Sequence, residues 1–181
     1  LNEVDFSKMS DAYDEISSFP IEFIDDPVDM HTINSKFTHF CKINSNKHCI
    51  LFIDNIGLIS ATGDNQVVIE DTIAKSIKDL RDGTKGTIVA LHHLSKQSES
   101  FHRKAELYKP TVNDIRGSSR LADYANQVIL LHRPDHYKDL LSANPQLKGA
   151  FMVDIALNRH GEADDIMYDH NIGYSEFTER N

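Results

Sequence analysis

The chain has 181 residues, 40% of them hydrophobic and 26% charged, which is enough for one domain with a real core. Nineteen Lys plus Arg against 28 Asp plus Glu leave a formal charge of −9, so bulk electrostatic binding of nucleic acid is excluded; any such contact must be local and shared with neighbouring subunits. Cys41 and Cys49 stand in no C-x-x-C arrangement, against a disulfide framework or zinc ribbon, and the longest apolar run, Cys49 to Ile53, is too short for a membrane span or signal core. The chain reads as a soluble, cytoplasmic globular domain.

The periodicity alternates between helix and strand. Ser7 to Ser18 carries Met9, Ala12, Tyr13 and Ile16 at helical spacing and stops before Pro20. Ile21 to Ile24 alternates like a short strand, broken by Asp25-Asp26-Pro27. Asp29 is placed to N-cap a helix with Ile33, Phe37, Phe40 and Cys41 on one face. The run Cys49 to Ile53 reads as a strand buried on both faces, followed by a loop with Gly57 and Gly63. Ile69, Ile73, Ile77 and Leu80 mark the next helix, ended by Gly83, and Gly86 to Leu91 gives another buried strand.

A long polar stretch from Ser95 to Thr111 then carries Lys96, Arg103, Lys104 and Lys109; such a connection is functional or mobile. Ser118 to Tyr124 reads as one or two helical turns, and Gln127 to Leu131 as a third apolar run. Ala150 to Leu157, Asp165 to Tyr168 and Tyr174 to Phe177, with Gly161 and Gly173 at the turns, suggest antiparallel strands. The order of elements predicts an α/β fold with a largely parallel sheet extended antiparallel at its end.

In such sheets ligands bind beyond the carboxyl ends of the strands. Asp54 follows the first apolar run, His92 and His93 the second, and His132 and Arg133 the third. One carboxylate at a strand tip suits Mg²⁺, a hard ion that keeps several waters; equally, Asp54 could cap a loop. His93 could donate to a terminal phosphate or be an ordinary surface histidine. His92 and His93 point to opposite faces if the strand continues, against shared metal ligation. His132 and His136 have helical metal spacing, but Pro134 between them argues against a helix. Arg116-Gly117-Ser118-Ser119-Arg120 is a positive turn suited to phosphate oxygens, or a plain helix start. Arg159-His160-Gly161 sits at a hairpin turn that projects an arginine outward, to solvent or to a neighbour's nucleotide. No G-x-x-x-x-G-K-S/T or G-x-G-x-x-G occurs among the eight glycines.

Taken in order, these motifs resemble the carboxyl-terminal, RecA-like ATPase domain of DnaB-like hexameric replicative helicases, including the phage primase-helicases; His-His-x-x-Lys followed by Arg-Gly-Ser-Ser is also similar to plasmid RepA-type hexameric ATPases. Met9 to Phe40, with Phe23-Ile24-Asp25-Asp26, resembles the segment after the early nucleotide motifs. Ile50-Leu51-Phe52-Ile53-Asp54 resembles the Walker B strand, which implies Asp54 as the Mg²⁺ ligand. Ala90-Leu91-His92-His93-Leu94 resembles the next motif, with His93 at the sensor position. Asp114-Ile115-Arg116-Gly117-Ser118 resembles the loop that grips single-stranded DNA, implying contacts from Arg116, Gly117 and Ser119. Asn158-Arg159-His160-Gly161 resembles the arginine-finger segment, so Arg159 would act on ATP held by the adjacent subunit.

The resemblance implies a RecA-like mostly parallel sheet flanked by helices, one domain over residues 1–181 with a mobile loop at 95–112, and the P-loop strand and helix missing upstream of Leu1. It implies ATP and Mg²⁺ as cofactors of the complete protein, and a hexameric ring translocating on single-stranded DNA, with a primase or helicase loader as further partners. Without the Walker A loop and the catalytic glutamate, the chain alone is expected to be inactive. Leu157 stands where the family usually has a Lys, and Asn55 where many members have an aromatic residue. Two rivals remain: an inert RecA-fold assembly or regulatory subunit, and a metal-dependent hydrolase using Asp54, His92, His93, His132, Asp135 and His136.

Overall fold

A computed structural model describes residues 3–61, 63–95, 108–115 and 120–180. In chain order the described elements are α1 (Glu3–Ser18), α2 (Met30–Ile43), β1 (Ile50–Ile53), α3 (Gln66–Thr84), β2 (Thr87–Ala90), α4 (Arg120–Tyr124), β3 (Gln127–His132), α5 (Lys138–Ala143), β4 (Ala150–Asn158), β5 (Asp165–Asn171) and β6 (Glu176–Glu179). The architecture is α/β: β1 and β2 pair parallel, and β3-β4-β5-β6 form an antiparallel sheet.

The parallel pair is built as its sequence dictates. Asp29 caps α2, its Oδ1 accepting from the Thr32 backbone N–H at 2.8 Å. The cap starts a helix whose Ile33 and Phe37 enter the core, where they meet Cys49, Ile53, Ile56, Ile73 and Leu80. Asn65 caps α3 in the same way, through Val68 N–H at 3.0 Å. The crossover helix α3 runs one residue past Gly83 and ends with Lys85 in the left-handed conformation, φ 60°, its N–H bonded to the Arg81 carbonyl. Gly86 then has to be a glycine: a Cβ there would stand 2.8 Å from the Phe37 ring and 3.0 Å from the Cys49 carbonyl.

Three expectations change. Ile21 to Ile24 forms no strand and has no ladder partner among the described residues; Ile21 and Phe23 within it, and Phe19 before it, are exposed. The β1–β2 strands are covered on one face only: Ile50 and Phe52, with cross-strand neighbour Val89, lie bare, Phe52 at 68% exposure. β3 does not extend the parallel pair. It pairs antiparallel with β4, with an irregularity between Val128 and Ile129, and alternates buried Val128 and Leu130 with exposed Ile129 and Leu131. A continuous apolar run looks the same whether a strand is buried twice or left open once, so composition could not separate these cases.

The two sheets are joined through the helices. Leu94, beyond β2, bridges Ile115, and Ser95 N–H donates to the Asp114 carbonyl at 2.7 Å. Arg81 of α3 reaches the Tyr124 carbonyl and Asn126 Oδ1, both at 2.9 Å, and Arg120 pairs with Asp71 at 3.0 Å. A second core under β4 gathers Tyr108, Leu140, Leu147 and Ala150, with Tyr108 stacked on Tyr137 at 4.5 Å. Among the described residues no helix is long and apolar enough to cross a membrane.

Candidate functional site

The parallel register Ile53↔Ala90 brings the carboxyl tips of β1 and β2 to one level. The chain crosses over there: Leu91 N–H donates to the Ile53 carbonyl at 2.9 Å, and Ile56 N–H to the Leu91 carbonyl at 3.0 Å. Asp54 leaves β1 at this rim with an exposed carboxylate, and His93 follows β2 at the same rim, also exposed.

Asn55 joins them. Its Oδ1 accepts from Gly57 N–H at 2.9 Å, capping the short turn Ile56–Leu58, which leaves Nδ2 as the donor facing His93 Nε2 at 3.3 Å. A neutral imidazole that accepts at Nε2 carries its hydrogen on Nδ1, so the ring presents a donor at the rim. An oxygen ligand for a hard cation and a donor for an anionic oxygen thus stand on adjacent strand tips. That donor set fits a magnesium nucleotide.

His92 turns the other way. Its Nδ1 lies 2.8 Å from the His93 carbonyl and its Nε2 3.9 Å from the buried carboxylate of Glu70. The two histidines therefore do not face one ion. His132 is buried at the end of β3 beside Tyr137, and Asp135 pairs with Arg133 and faces His170. Among the described residues no three His, Cys, Asp or Glu side chains come together as a metal site, which gives the hydrolase alternative no support.

Arg159 sits just past β4, at the turn expected from the sequence, but its side chain folds back onto its own chain. Nε donates to the Ala125 carbonyl at 2.9 Å, and the guanidinium to the Asp123 carbonyl at 2.8 Å, closing the end of α4. Leu157 is half-buried opposite Val128 and offers no charge beside it. Arg116, Gly117 and Ser119 lie outside the described residues, as does most of the 95–112 stretch.

Two residues carry more of the site than sequence reasoning assigns them. Asn55 stands out along the chain only as a departure from the family pattern. Glu70 belongs to no motif, although its spacing to Ile73, Ala74 and Ile77 puts it on the inner face of α3.

A parallel strand pair with its crossover helix, a carboxylate and an imidazole at the carboxyl rim, and a separate antiparallel sheet make up the α/β architecture of RecA-like helicase ATPase domains. The backbone matches a solved structure titled as an ATPase domain with a TM-score of 0.85 at 26% identity, covering 99% of this chain and 61% of that one. It matches "The Structure Of A DnaB-Like Replicative Helicase And Its Interactions With Primase" with a TM-score of 0.83 at 26% identity, covering 98% of this chain and 42% of that one. The chain belongs to the DnaB-like helicase C-terminal domain family, whose model matches residues 1–179. A probable replicative DNA helicase of Trieres chinensis is 25% identical over 98% of this chain, which spans 38% of that relative. The chain thus spans well under half the length of the curated relatives it matches.

Proposed function

We propose that this chain forms one wall of the ATP site of a replicative DNA helicase that moves along single-stranded DNA as a six-membered ring. The observation that carries the reading is the Asp54–Asn55–His93 cluster at neighbouring tips of a parallel pair. Asp54 would hold Mg²⁺, whose charge neutralises that of the phosphates when bound. His93, oriented by Asn55, donates from Nδ1 to the terminal phosphate and reports its presence through the chain beyond Leu94. Arg159 leaves the carbonyls of Ala125 and Asp123 to reach nucleotide held by the next subunit. Arg116, Gly117 and Ser119 contact DNA phosphates in a shared channel, where six copies of a small basic loop offset the negative charge of the whole.

The bare apolar face of β1 and β2 supports reading the chain as part of a larger ATPase domain, with a phosphate-loop strand and helix covering that face. So does the 61% share of the similar solved ATPase domain that it covers. A primase or loader is the expected further partner, by likeness to the solved DnaB-like helicase and its interactions with primase.

The test is nucleotide binding and hydrolysis by the full-length protein. Asp54→Asn should abolish the magnesium dependence of ATP binding. His93→Ala should reduce the preference for ATP over ADP, with ADP affinity near wild type, and lower hydrolysis about 10²-fold, the size expected for loss of one donor to developing charge. Unchanged magnesium-dependent binding in Asp54→Asn would overturn the assignment. The 181-residue chain alone should bind single-stranded DNA weakly at physiological salt; tight binding by a monomer would sink the ring.

A further inference from the structure

Glu70 is only 4% exposed, and nothing in the helicase reading uses it. Its position follows from the crossover: α3 runs back along the strands it connects, so its first turns lie beside the carboxyl tips of β1 and β2. Glu70 stands in the second turn, on the face that also buries Ile73 and Ala74. A carboxylate taken out of water needs polar groups in its place. Gln66 Nε2 donates to Oε1 at 2.9 Å, and His92 Nε2 lies 3.9 Å from Oε2.

The other side of the His92 ring is committed too. A carbonyl only accepts, so the 2.8 Å contact with the His93 carbonyl places a hydrogen on His92 Nδ1. Nε2 is turned to Glu70 and attracts its carboxylate when it carries a hydrogen as well, the ring then being an imidazolium paired with the buried acid. One imidazole therefore ties a buried carboxylate to the backbone of the next residue. That residue's ring meets Asn55 on its far side at 3.3 Å. The chain leaving His93 is held as well, through the Leu94–Ile115 bridge and the Ser95–Asp114 bond.

We propose that Glu70 and His92 form a buried support that fixes the orientation of His93, making Glu70 a positioning residue for the imidazole that reads the terminal phosphate. The functional consequence rests on the proposed reading of His93; the support itself rests on the contacts alone. Core packing by itself would place an apolar residue at position 70, and would not direct both nitrogens of His92 to polar partners.

Two variants test it. Glu70→Gln keeps the shape of residue 70 and removes its charge. His92→Phe keeps a ring and removes both nitrogens, and it carries the test should Glu70→Gln fail to fold. In the 181-residue chain labelled with ¹⁵N-histidine, each variant should weaken the nuclear Overhauser contact between the Asn55 side-chain amide and the His93 ring, and shift the His93 ring nitrogens. Signals of the α2–β1 core should stay in place. In the full-length protein each should reduce the preference for ATP over ADP about tenfold, with ADP affinity unchanged, a size within ordinary coupling between sites. An unaltered His93 signature in both folded variants overturns the support. An altered signature, with the ATP/ADP ratio unmoved in these variants and in His93→Ala, upholds the support and overturns the sensor reading.

Discussion

Arg159 holds two carbonyls at the end of α4, and replacing it with alanine separates a structural role from a catalytic one. The last carbonyls of a helix have no partner within it. Arg159 supplies one from Nε to Ala125 at 2.9 Å and one from the guanidinium to Asp123 at 2.8 Å. Both bonds are exposed, so the carbonyls regain water when the side chain is removed, and each contributes about 0.5–1.5 kcal/mol net. Other ties survive the change: the Arg159 backbone N–H still donates to Asn126, and Arg81 still holds the Tyr124 carbonyl. Arg159→Ala should therefore cost about 1–2 kcal/mol, a fall of roughly 2–8 °C in the melting temperature of a chain this size. A charge that completes a neighbour's ATP site has a different scale, on the order of 10³–10⁵ in hydrolysis rate. The assays are thermal unfolding of the 181-residue chain and ATP turnover by the full-length protein, alone and mixed with wild type. A melt lowered by much more than this range, with turnover within about tenfold of wild type, would make Arg159 a helix clamp and refute its action across subunits.

Two further outcomes concern the scaffold. Ile73 is 2% exposed at the centre of the α2–β1–α3 core, so Ile73→Ala should cost about 2–5 kcal/mol in urea unfolding; a loss under about 1 kcal/mol would contradict a close-packed centre. The Cys41 thiol is pushed up to about 11, first by burial and then by the neighbouring Cys49 thiol. Its alkylation near pH 8 should be on the order of a hundredfold slower than that of an exposed cysteine, as followed by mass spectrometry. Because the folded value lies above the ordinary 9.0, its contribution to stability is present below about pH 9 and is lost as pH rises toward about 11; fast labelling at neutral pH would refute the assignment.

Much of the parallel unit was legible in the residues. Asp29 as cap, the Ile33/Phe37 stripe and the Ile69–Leu80 stripe are local signals, each set by backbone groups and spacings within one helix. The rim residues Asp54 and His93 were legible too, since parallel strands separated by one helix must end side by side. Residues 21–24 show the limit: alternation proposes a strand, but a strand exists only where another supplies its hydrogen bonds.

The order of elements, the caps and the candidate pair at the strand tips were thus decided by short-range chemistry written along the chain. Which face of β1 is covered, whether β3 joins β2 or β4, and where the arginine after β4 rests are properties of surfaces that meet across long separations. Glu70 belongs with these. Its identity places it nowhere in particular; only the return of α3 along the strands sets its carboxylate against His92 and gives a buried charge a partner.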